Sequence, residues 1–253
     1  MNRTNISPKR AGYVSSRKSG SLLIAAALLA SLLPATAHAG GQGNPDLQQK
    51  LAAVKESVTA NQQRLRQYQW TETTQLTLNG DAKPPSQSMC QYGPDGTVQK
   101  TPMGPPPPPP SGGRMKQRIV EKKTGEMKDY MGQVKTLLAY YVPPNPQKMQ
   151  QAYGAGKVSL NPAPNSGTTS LVFKDYAQEG DQMTLTFNAA TKKIINLNVN
   201  TYMDNPQDTV TLTAQFASLP DSTNYVQQSV LNATAKKLVV TTTSSNYQKL
   251  GGQ

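Results

Sequence analysis

The chain has 253 residues, 26 Lys and Arg against 14 Asp and Glu for a formal net charge of +12, and only one histidine and one cysteine. That histidine, His38, lies in an Ala-His-Ala tripeptide closing a leader-like segment, so a processed chain has none, excluding Ser-His-Asp and Cys-His catalysis and histidine-containing zinc sites. The lone cysteine, Cys90, excludes an internal disulfide and leaves stability to a hydrophobic core.

Residues 1–39 read as a signal peptide. Arg3, Lys9, Arg10, Arg17 and Lys18 stand without an acid, a 12-residue apolar run spans 22–33, and Ala37 and Ala39 supply a small-residue cleavage site. A membrane-spanning helix needs roughly 20 residues, so retention as an anchor is the lesser alternative. Cleavage leaves residues 40–253, soluble in a bacterial periplasm or secreted. Five basic residues leave with the leader, so 21 basic residues face 14 acids and the balance becomes +7.

Asn44 and Pro45 open a predicted helix whose stripe is Leu47, Leu51, Val54, Val58, Leu65 and Tyr68. Strands follow at 68–78, 86–92 and 97–101, the first ended by a hairpin turn at Asn79-Gly80-Asp81 and the next pair joined by Gly93-Pro94-Asp95-Gly96. Cys90 falls on the second of these as an ordinary sheet residue. A monomer is expected, with a Cys90-linked dimer as the alternative. Residues 102–113 form a proline-rich loop, whose six consecutive prolines at 105–110 make a spacer of roughly 19 Å.

Basic residues then cluster at Arg114, Lys116, Arg118, Lys122 and Lys123. Such a patch suits an anionic membrane surface or an acidic envelope protein, or is simply a solvated helix face. Nucleic acid is disfavoured by the compartment. Helical periodicity continues through Met127, Tyr130, Met131, Val134, Leu137, Leu138 and Tyr141, with Gly125 as a possible division, until Pro143, Pro144 and Pro146. A short helix at 147–153 and a loop at 157–168 come next.

In the last third, apolar residues take every second position in runs containing Met183, Leu185 and Phe187, then Ile195, Leu197 and Val199, then Val210, Leu212, Ala214 and Phe216. Strands at 171–173, 225–231 and 235–243 frame them. The expected fold is α+β: a curved antiparallel sheet of about nine strands, a half-barrel meander, covered on one face by the N-terminal helix and a central helical insertion. Residues 40–253 make a single domain.

Most acids fall in turns, where Asp serves the backbone, and no phosphate loop or metal-ligand spacing is present. A non-enzymatic protein without cofactor, metal or catalytic residues is expected. Trp70, Met127, Met131, Val134, Leu138, Met183, Leu185 and Phe187 are the candidates to line an adaptable apolar cavity between helices and sheet.

The order of these pieces, helix at 47–65, strands within 68–101, helical insertion at 115–153 and meander at 171–243, resembles the periplasmic lipoprotein-carrier superfamily, which includes an envelope-stress sensor. The resemblance implies a half-barrel whose covered face takes up lipid or a lipidated protein. The proline tract departs from that pattern. Two functions remain open: a periplasmic carrier or sensor of an apolar ligand, and an envelope scaffold or interaction module with no small-molecule ligand.

Overall fold

The computed structural model describes residues 45–104 and 114–251. The signal-peptide reading of 1–39 and most of the proline-rich loop lie outside them, as do the side chains of Leu47, Val54, Arg114 and Lys116.

Helix α1 (Pro45–Leu65) begins on a proline, whose missing donor costs nothing at a first turn, and buries Leu51 with Val58 packed beside it. Strand β1 (Tyr68–Leu78) follows. Asn79 and Gly80 both adopt positive φ (53° and 88°), as a two-residue hairpin demands, and return the chain into β2 (Asp81–Ala82). Strands β3 (Ser86–Tyr92) and β4 (Val98–Met103) complete this arm.

Helix α2 (Arg114–Leu138) runs unbroken through Gly125, so the division expected there does not occur. A helical glycine costs only about 1 kcal/mol relative to alanine, which the flanking turns absorb. Its later half buries Tyr130 and Val134, whereas residues 118–124 are exposed on every side. Helix α3 (Pro146–Gly154) is capped by Asn145, whose side-chain oxygen accepts from the backbone N–H of Gln147 (2.9 Å) and Lys148 (3.2 Å).

The remaining strands are β5 (Val158–Ala163), β6 (Thr168–Lys174), β7 (Gln182–Asn188), β8 (Ile194–Tyr202), β9 (Thr209–Ser218), β10 (Asn224–Ala233) and β11 (Leu238–Lys249). All pairings are antiparallel, in the order β4-β3-β1-β11-β10-β9-β8-β7-β6-β5 with β2 beside β1. The result is an open, curved half-barrel sheet of 11 strands with helices on one face. Among the described residues no helix is long and apolar enough to cross a membrane.

Three details depart from expectation. Residues 158–163 form a strand rather than a loop: Val158 and Leu160 pair with Phe173 and Leu171, and Pro162 is tolerated because β5 is an edge. Strand β11 starts at Leu238, after a short 3-10 turn ending on left-handed Lys237 (φ 44°), and runs on to Lys249 through polar sequence because β1 pairs with it throughout. Ile195 is 37% exposed and off the core face, since a register shift opposite Thr186 and Phe187 makes it the extra residue of a bulge and turns Ile194 inward.

The sheet's inward side chains form two apolar clusters. Leu171, Phe173, Met183, Leu185, Phe187, Leu197 and Val199 enclose Tyr141 and Met149 from the insertion and Leu51 from α1. Val210, Leu231, Ala233 and Leu238 receive Tyr130 and Val134 of α2. Leu137, Leu138 and Leu212 pack against both.

A buried carboxylate fastens the insertion to the sheet. Asp181, 3% exposed, accepts backbone N–H groups from Tyr176 (2.5 Å), Ala177 (2.9 Å) and Gln178 (2.8 Å), and the hydroxyl of fully buried Tyr141. Tyr141 also meets Thr201 Oγ1 at 2.8 Å. Asp181→Ala, which orphans these donors, is expected to cost about 3–5 kcal/mol in urea unfolding. Lys157→Ala, which removes only the exposed bridge to Asp175 (3.3 Å), is expected to cost less than about 1 kcal/mol.

Candidate functional site

Between α1 and the sheet lies a partly open cavity of ≈ 170 Å³. Its floor is Leu185 of β7, Leu197 of β8, and Phe216 and Val226 of β9 and β10, the first three placed inward by strand alternation and Val226 by a register shift between it and Gln228 that sets it opposite Phe216. One wall is α1, presenting Val58, Asn61 and Leu65 at helical spacing. Opposite, Val142, Pro143 and Pro144 follow directly on the Tyr141 anchor, with the Val142-Pro143 peptide in cis.

The rim is held by an unusual amide pair. Asn61 donates its side-chain N–H to Asn224 O (2.6 Å), while the Asn224 backbone N–H donates to Asn61 Oδ1 (2.6 Å). Asn224 in turn donates from Nδ2 to Ile194 O (2.7 Å), so one residue fixes α1, β10 and β8 together. With no charged group in its lining, the cavity favours apolar content.

Beside it, five aromatic rings line the sheet's inner face. Trp70 stacks on Tyr247 (5.5 Å, 9°) and tilts against Tyr92 (5.5 Å), while Tyr225 lies 4.4 Å from Tyr247 and Tyr68 packs edge-on to it at 6.3 Å. Tyr92 and Tyr225 reach the cavity lining. Burial pushes the hydroxyls of Tyr92 and Tyr247 above the usual phenol range, and for Tyr247 the neighbouring Tyr92 and Tyr225 add to this.

Of the residues expected to line a cavity, Leu185 lies in the floor, whereas Trp70 is outside the lining and packs against the lining residue Tyr92. Met183 and Phe187 are buried to either side of Leu185 in the first cluster. Met127, Met131, Val134 and Leu138 pack α2 against the second cluster rather than on this cavity, and Leu138 also reaches the first. Sequence reasoning missed Asn61, Asn224 and the Val142-Pro143-Pro144 wall. The only available signals were a polar residue inside an apolar helix stripe and a proline pair after a helix.

On the same face, Glu72 is paired with Lys100 next to Cys90. Burial, followed by the Glu72 charge, pushes the Cys90 thiol up, with Lys100 partly offsetting it. A protonated thiol with 0% exposure is a poor nucleophile, and a disulfide to another chain requires β3 to open. Among the described residues no group of three or more His, Cys, Asp or Glu is placed to hold a metal ion.

No family profile matches the sequence, and neither does any curated protein. A solved structure of a DUF1329 family protein from Desulfovibrio piger is similar over 80% of this chain and 93% of that one, at 7% identity and a TM-score of 0.37.

A tyrosine whose folded pKa is raised adds stability that is complete below the unfolded value of 10.0 and is lost as pH rises beyond it. Alkaline titration is therefore expected to show a first, small decline above about pH 9, where the unfolded Cys90 thiol ionises and the folded one does not, and a steeper decline above about pH 10 from the tyrosines. Tyr247→Phe should flatten that decline, measured by urea unfolding across pH 8–12 with phenolate absorbance followed in parallel.

Proposed function

We propose that this chain is an exported bacterial binding protein that shelters part of an apolar molecule, such as the end of an acyl chain of a lipid or lipidated protein, beneath α1. The observation that carries this reading is the uncharged cavity floored by Leu185, Leu197, Phe216 and Val226. The leader pattern of residues 1–39 supports export, and the order of elements, like that of lipoprotein carriers, supports the ligand class.

Size decides what fits. An engineered cavity of roughly 150 Å³ takes a benzene ring, whereas pockets for drug-sized ligands run to about 300–1,000 Å³. At ≈ 170 Å³ this cavity holds a terminal segment or a single ring, not a whole lipid. Its partial opening lets the rest of a longer molecule remain outside.

A second reading, an envelope scaffold without a ligand, is favoured by the tight packing elsewhere on the same face, where Val134, Val210 and Leu238 have no exposed surface. In that case α1 and α2 only complete the core.

A straight-chain fatty acid series separates the two. Burial contributes about 0.8 kcal/mol per methylene, so affinity should tighten roughly fourfold per added carbon and level off once the cavity is full. Val226→Trp, which fills the floor, should remove binding while leaving the far-ultraviolet circular dichroism unchanged. Absence of calorimetric binding at every chain length sinks the carrier reading in favour of the scaffold.

A further inference from the structure

The exposed half of α2 has no role in the cavity. Residues 118–124 touch solvent on all sides, although the same helix is well packed from Tyr130 onward. Met115 is 84% exposed and Ile119 58%, an unusual degree for large apolar side chains standing four residues apart on one face. Arg118 and Lys122 flank that pair on one side and Lys123 on the other, all exposed. Glu121 lies roughly 160° around the helix from Ile119 and does not share the face. The Lys122–Glu126 pair, at 4.0 Å with side chains 80% and 61% exposed, is too solvated to hold Lys122 away from another anion.

We propose that Met115 and residues 118–123 of α2 are a docking surface for an anionic lipid bilayer. The charges are complementary to lipid phosphate, and the apolar side chains are interleaved with basic ones rather than gathered in a groove. A protein partner would need a groove-filling ridge, whereas a bilayer interface accepts scattered apolar side chains and lets long basic stems lie along them with their heads at phosphate level. The helix is already formed, since its packed half continues into the exposed one, so docking does not have to nucleate it. The proposal does not depend on the cavity being a ligand site. If both hold, α2 links the membrane to the Val142-Pro143-Pro144 wall as a rod of roughly 37 Å.

The test places an environment-sensitive nitrobenzoxadiazole dye on Ile119→Cys in the full chain. Cys90 has no exposed surface, so the dye goes to position 119. Met115→Cys carries the dye in a second preparation, leaving Ile119 intact. Vesicles of phosphatidylglycerol and phosphatidylcholine should shift the emission to the blue at both positions, whereas phosphatidylcholine alone should not. Each basic residue near an anionic surface is worth roughly fivefold in affinity, so Arg118→Gln/Lys122→Gln/Lys123→Gln should raise the half-saturating lipid concentration roughly a hundredfold. Molar salt should abolish the shift.

Unchanged emission at both positions while the chain sediments with vesicles would overturn the proposal, because attachment would then run through another part, the N-terminal segment included. A shift with polyglutamate and none with vesicles would overturn it in favour of an acidic protein.

Discussion

A carboxylate removed from water must be given its hydrogen bonds by the protein, and Asp181 is supplied from two directions. Three backbone N–H groups come from its own turn, and the fourth donor is the Tyr141 hydroxyl, brought from the end of α2. The turn and the insertion therefore cannot separate without stranding a buried charge-bearing group. Everything that follows Tyr141, the Val142-Pro143-Pro144 wall and then α3, is positioned from this point. The Asn61–Asn224 pair does the same for α1 on the opposite side of the cavity. Two polar anchors thus frame an apolar space that neither of them lines with charge.

This division explains why a cavity exists on a sheet otherwise so closely packed. Apolar side chains collapse wherever their backbones are free to approach, and voids larger than a water molecule are rare in interiors. Here α1 is held by its amide pair and the 142–144 segment by Tyr141, so neither can settle onto Phe216 and Val226. Toward the second cluster α2 has settled onto the sheet, and Val134 sinks completely among Val210, Ala233 and Leu238.

Alternation in the last third was legible because one face of the sheet is apolar and the other rich in Thr and Asn, and a period of two admits one orientation. Met183, Leu185 and Phe187 lie where that pattern places them. Ile195 does not, because a bulge is a local choice between adjacent isoleucines with the same hydropathy. Strand β5 was hidden by Pro162 and Asn161, loop-formers that an edge position permits, and the second half of β11 by polar residues that pair by backbone alone. The site was less legible than the fold. Methionines and leucines on α2 carry the same apolar signal whether they line a space or fill one, and the amide pair joins residues 163 positions apart that no local pattern connects.

The β1–β11 ladder, which pairs Tyr68 with Lys249 at one end and Leu78 with Leu238 at the other, joins the first strand to the last. Strands β3 and β4 reach the meander only through it. During synthesis from the amino terminus the β1–β4 arm therefore has no strand of the meander to dock on until β11 (Leu238–Lys249) arrives, and sheets joined by such distant pairings form slowly. Completion of the sheet is tied to the arrival of β11. The sheet becomes one continuous surface only when β11 lies between β1 and β10.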